Sequence, residues 1–156
     1  MTELRIILLW LHIGLAIVGL GPSFTFPIWT AMARRAGPEH VPFALRTLHT
    51  IITRMVAPLA ILLLLSGIGL ILVAKWDLLA NEWLWIAIVL YVINLTLNLG
   101  VALPNLNAIL AILGSGEAPQ RMGEIASRGQ RQRVLGITSG LIVLVILGLM
   151  VWKPGA

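Results

Sequence analysis

Three histidines, six carboxylates and no cysteine interrupt a chain that is 59% apolar. One of those histidines, His12, lies inside the apolar run LLWLHIGLAIVGLGPSFTFPI, from Leu8 to Ile28. An ionisable group within a run long enough to cross a bilayer is costly unless it finds a partner, so His12 is a candidate functional residue. A neutral imidazole nitrogen is a good iron ligand, which makes His12 a metal-ligand candidate and haem b its candidate cofactor. The other role open to it is a neutral histidine hydrogen-bonded to a neighbouring helix. Met150, near the end of the last apolar run, is a candidate second axial ligand.

Two further constellations carry polar chemistry. RTLHTIITRM places Arg46, His49, Thr50, Thr53 and Arg54 at helical spacing, giving a polar stripe at the start of the second apolar run. Such a stripe suits a phosphate, a propionate or a lipid headgroup, so Arg46 and His49 are cofactor-binding candidates; it also suits a solvated helix end whose arginines snorkel to the headgroups. In the third apolar run, Asn94 and Asn98 are one turn apart, and Asn105 continues the face at heptad spacing. Thr96, Pro104 and Asn107 are expected to add to it, and Arg54 to belong to the same polar bundle face. Amides in hydrocarbon need partners, so this face points into the bundle, either as interhelical glue worth about 1 kcal/mol or less per residue or as a polar substrate path.

These residues need long helices to hold them. A transmembrane helix takes about 20 largely apolar residues, and four stretches qualify, at about 4–33, 42–74, 82–113 and 133–152. No stretch alternates as a barrel strand does. The expected fold is therefore all-α: a single transmembrane domain over 1–156, an integral membrane four-helix bundle with helices kinked at Pro22, Pro27 and Pro58. Ser66, Gly67 and Gly69 offer a small-residue packing surface, as do Gly136 and Gly140 with Gly148. The start, MTELRIILLW, lacks a basic cluster and leads into too long an apolar run for a signal peptide, so it reads as a retained helix.

Composition agrees. Only 11% of residues are charged, against roughly 25% in soluble domains, and mean hydropathy is +0.99. The net charge of +5 is explained by arginines in loops beside the spans, which argues for topology and anionic lipid rather than nucleic acid. The basic loops 34–46 and 114–133 fall on one side. The positive-inside rule places them in the cytoplasm, with both termini on the non-cytoplasmic side, in what reads as a bacterial cytoplasmic membrane. The segment from Ala118 to Arg133 is either a topogenic loop or a short interfacial helix. His12 and His49 then lie near opposite ends of their helices, about 20 residues or roughly 30 Å apart along the first helix, and do not share one haem. A haem on His12 would take its second ligand from Met150, from His12 of a second copy, or from neither.

The stretches HIGLAIVGLGPSFTFP and RTLHTIITRMVAPLAILLLLSGIGLIL resemble the start of the HemJ-type protoporphyrinogen oxidases. They are similar also to CopD-like membrane proteins and to a four-helix membrane family of unknown function. The shared features are a histidine in the first helix, a proline fifteen residues later, an arginine-rich start to the second helix, and a proline then glycines within it. The resemblance covers about the first 75 residues. It implies a haem-ligand role for His12, with Pro27 and Arg46 at structural positions. The HemJ pattern has an arginine after the first-helix proline, where this chain has Ile28, and a lysine at the start of the third helix, where it reads WLWIAIVL. The oxidase reaction is thereby left without two of its polar groups. Three functional readings follow: a haem-binding, redox-linked membrane protein; a non-catalytic membrane subunit or assembly factor, docking as a homo-oligomer or on a partner subunit; and a small transporter using the asparagine face. The absence of mid-span Asp or Glu weighs against proton coupling in the last.

Overall fold

A bilayer core offers no water to the backbone, so each crossing segment must satisfy its own N–H and C=O groups as a helix. The computed structural model, which describes residues 3–78 and 80–154, follows this rule throughout. Its first span joins α1 (Glu3–Leu20), a 3-10 turn (Gly21–Thr25) and α2 (Phe26–Ala36). The second follows a short 3-10 turn (Pro38–His40) with α3 (Val41–Ile51), a π-turn (Ile52–Val56) and α4 (Ala57–Ala74). The third joins α5 (Glu82–Thr96), a π-turn (Leu97–Ala102) and α6 (Leu103–Gly114); the fourth is α7 (Met122–Trp152) alone. No strand occurs among the described residues, and all four spans are long and apolar enough to cross a membrane.

Three spans begin and end within a few residues of the expected limits. The fourth helix starts at Met122 rather than near Arg133, so most of the basic stretch forms the first turns of α7 and only 118–121 remain as a turn before it. Glu124 bonds Arg121 at 2.7 Å and Arg128 at 2.9 Å. Pairs at i, i+3 and i, i+4 support a helix, and an acid in its first turn complements the helix dipole.

The prolines set the local form of the other spans. Pro27, Pro42, Pro58 and Pro104 each fall in the first turn of an α-segment, where a missing N–H costs least. Before Pro27 the chain tightens: Phe26 N–H bonds the Ser23 carbonyl that proline cannot serve. Before Pro58 and Pro104 it widens instead. Ala57 N–H reaches back to Ile52 O, and Leu103 N–H to Asn98 O, each five residues behind. This extra residue opens the turn that the proline ring would otherwise crowd. The irregularities expected at Pro22, Pro27 and Pro58 are thus a 3-10 turn and a π-turn, and the π-turn before Pro104 adds one outside that expectation.

The second and third spans form the centre. They supply the buried Ala44, Leu48, Ala60, Leu63 and Leu70 on one side, and Trp83, Leu84, Ala87, Tyr91, Leu106, Ile109 and Ile112 on the other. They meet where α3 packs on α6 and where the Tyr91 hydroxyl donates to Ala60 O at 2.8 Å. The first span flanks this pair through α1 on α4, and the fourth flanks it through α7 on α5 and α6. In α1 only Gly19 is buried, and in α7 only Val143.

Both flanking contacts run in a fixed antiparallel register. Gly19 lies against Leu59 and His12 against Ser66, seven residues apart on each helix. Asn98 meets Ser139 and Asn105 meets Gln132, again seven apart on each. A heptad repeat on both partners keeps one seam facing the other.

Candidate functional site

His12 is half-buried on α1, and its Nδ1 lies 2.8 Å from Ser66 Oγ on α4. Ser66 is buried, and its hydroxyl donates to Leu63 O at 2.8 Å. With its proton on Leu63 O, Ser66 Oγ accepts from His12 Nδ1–H; rotated towards the ring, the same hydroxyl would donate to Nδ1 instead. In the first arrangement Nδ1 carries the proton and Nε2 keeps its lone pair. Gly67 makes room for the ring, since a Cβ there would stand 3.2 Å from His12 Cε1. A metal-binding histidine needs this arrangement, with one ring nitrogen anchored by hydrogen bonding and the other a free base. It is equally the geometry of a histidine that joins two helices.

The other candidates are spread along the bundle. Seventeen residues separate His49 from Ser66, roughly 25 Å at 1.5 Å per residue, so the structure keeps His12 and His49 apart. Met150 is half-buried on α7, which packs on α5 and α6, whereas the partner of His12 lies on α4. In the stripe of the second span, Thr50 and Thr53 turn back to carbonyls one turn below, Arg46 O and His49 O. Arg46 is exposed, His49 half-buried, and Arg54, grouped by sequence with the asparagines, is exposed on the π-turn. A cleft of about 150 Å³ lies nearby, lined by Pro22, Phe26, Trp29 and Ile51 among others.

Two residues of the asparagine face, Asn98 and Asn105, bond across to α7. Asn98 Nδ2 donates to Asn94 O at 2.8 Å and to Ser139 Oγ at 2.9 Å, and Asn105 Nδ2 donates to Gln132 Oε1 at 2.9 Å and Arg128 O at 3.0 Å. Asn94 and Asn105 are buried. Thr96, Pro104 and Asn107 do not extend this face and are exposed. Thr96 and Asn107 each stand two residues from a buried asparagine, roughly 200° around a helix of 3.6 residues per turn. The glycine row of α7 also differs from expectation: a Cβ at Gly136 or Gly148 would meet nothing within 4 Å, and one at Gly140 only the ring of Phe24 at 3.9 Å. Within the chain, these glycines do not admit a second helix backbone.

Two groupings escape sequence reasoning. At the end where α1 begins and α7 finishes, Arg5 stands 5.7 Å over the Trp76 ring, and Lys153 stands 5.7 Å from Trp76 and 5.8 Å from Trp83. The two indoles meet edge to face at 5.6 Å. Cationic ends of two spans thus clasp tryptophans of the loop and span between them. Lys153, like Lys75, holds a left-handed conformation that caps its helix, at φ 47° and 52° respectively. The opposite end carries a polar cleft of about 330 Å³ lined by Asn105, Glu124, Ser127, Arg128 and Arg131. Beside it, hydrogen bonding to Glu124 is the main reason that the Arg121 guanidinium titrates above its ordinary value.

No curated protein and no solved structure matches the chain. A family model does, and it covers both hairpins, the His12–Ser66 pair and the asparagine seam. Over residues 6–154 the chain matches the family described as predicted integral membrane protein (DUF2269), and it belongs to that family.

Proposed function

We propose that this membrane protein binds haem b through His12 Nε2 and serves in electron transfer. The observation that carries the reading is the Ser66 contact, which holds the ring through Nδ1 and leaves Nε2 outside that bond. When bound, haem supplies a one-electron iron couple. Ser66 fixes the ring and raises the basicity of the ligating nitrogen, and Gly67 leaves the imidazole its space. The resemblance of the first two spans to the HemJ-type membrane proteins supports the same residue. A second protein ligand to such a haem would come from Met150, from His12 of a second copy, or from neither. The positive-inside rule favours a cytoplasmic side for the arginine-bearing end.

A second reading has its own support. The interior polar side chains, His12 included, are engaged in joining helices, as expected of a non-catalytic membrane subunit or assembly factor. An absorption spectrum of the detergent-purified chain, expressed with added haem and recorded oxidised and reduced, separates the two. The haem reading expects a Soret band that His12→Ala removes. Ser66→Ala retains the band and weakens haem affinity about tenfold, as loss of a hydrogen bond to a ligating histidine does. A colourless wild-type protein, or a band untouched by His12→Ala, overturns the haem reading. A stoichiometric partner purified with the colourless chain would then favour the second.

A further inference from the structure

We infer that the cleft between α6 and the first turns of α7 binds a phospholipid headgroup carrying both a phosphodiester and a proton donor, either hydroxyl or ammonium. Asn105, only 3% exposed, lines this cleft, and its Oδ1 is buried with no hydrogen-bond partner. The amide cannot be turned to relieve it. Its Nδ2 donates to Arg128 O at 3.0 Å, and a flip would set two carbonyl oxygens against each other. A buried acceptor left unserved costs about 1–3 kcal/mol, which a donor arriving through the cleft would recover.

The remaining lining divides by charge. Arg128 uses Nε on Glu124 at 2.9 Å, which leaves its terminal nitrogens for another acceptor. Arg131 is exposed and makes no hydrogen bond or ion pair among the described residues. Two guanidinium groups at one cleft suit a phosphate, which accepts paired N–H donors. Glu124 and Asn105 Oδ1 are acceptors in the same cleft, and a bare anion would leave them opposed or unserved. A group with phosphate on one side and a donor on the other satisfies both.

Depth selects a lipid. The cleft residues of α7 end at Arg131, and the apolar run of that helix begins at Val134. The site thus stands where the basic turns of α7 give way to its membrane-crossing part, at headgroup level. It shares no residue with the His12 site.

Native mass spectrometry of the full chain in detergent, titrated with short-chain lipids, tests this. Dihexanoyl-phosphatidylglycerol is expected to bind saturably. Dihexanoyl-phosphatidylethanolamine, which carries an ammonium donor, binds about tenfold more tightly than dihexanoyl-phosphatidylcholine, which has the same net charge and no donor, the effect of one hydrogen bond to a charged group. Arg131→Gln weakens phosphatidylglycerol binding by about the same factor. Arg133→Gln, which lies outside the cleft, changes it by less than about twofold, as one screened surface charge does. Equal affinity for phosphatidylethanolamine and phosphatidylcholine, or an unaffected Arg131→Gln, overturns the inference. Competition by glycerol phosphate as strong as by the lipid also overturns it, in favour of a soluble phosphate ester. The comparison of lipids uses wild-type protein alone, so it stands even if a variant folds poorly.

Discussion

Gly19→Leu is expected to part α1 from α4 and destabilise the bundle by about 3 kcal/mol, the upper end of what overpacking a close-packed contact costs. A Cβ at Gly19 would lie 3.0 Å from Leu59 Cβ, 3.7 Å from the Leu59 carbonyl carbon and 3.9 Å from Ala60 N. Backbone stands in the way, so the helices must separate to admit a side chain. Separation also draws His12 from Ser66, seven residues up the same seam. Gly14 and Gly21, on the same span, have nothing within 4 Å of an added Cβ. Unfolding in mixed micelles, followed by circular dichroism, should therefore show Gly14→Leu near wild type and Gly19→Leu far less stable. Equal stability of the two variants would mean that α1 does not approach α4 as described.

Trp76→Ala should cost about 2–3 kcal/mol in the same measurement, combining one aromatic pair with two cation–π contacts and the ring's burial. Trp76 alone touches every member of its cluster: Arg5, Lys153 and Trp83. Arg5→Ala and Lys153→Ala remove single contacts and should cost about 0.5–1 kcal/mol each. Trp85→Ala is the matched control, because Trp85 is exposed and its loss should be close to neutral. A Trp76→Ala effect no larger than that of Trp85→Ala would show that the cluster does not hold the ends of the spans together.

The contrast between these two sites shows what the sequence discloses. Membrane spans are legible because the backbone rule forces some 20 apolar residues into each, and three of them fall within a few residues of their expected limits. The early start of α7 was hidden because a charged amphipathic helix and a polar loop share a composition; only the Glu124–Arg128 spacing distinguishes them. His12 was legible as a residue in need of a partner. Ser66 read merely as a small side chain, since pairing the two requires the antiparallel register of α1 and α4. Arg5, Trp76, Trp83 and Lys153 are scattered along the chain with no period linking them, so only the folded topology gathers them. The asparagine face was legible in outline, whereas Thr96 and Asn107 were assigned to it against the helical angle that puts them on the far side.

An α-helix turns about 100° for each residue, and a π-turn is the form a helix takes when it holds one residue too many. The second span carries such a surplus between Ile52 and Val56, below the level at which Ser66 faces His12. Deleting one residue there would remove the surplus and swing everything above it by about a quarter of a turn. Every polar side chain would survive the change, and His12 would face a different one. The partner of the membrane histidine is thus written partly in the length of the chain, so a shift in residue count can rewire this interior without altering its chemistry.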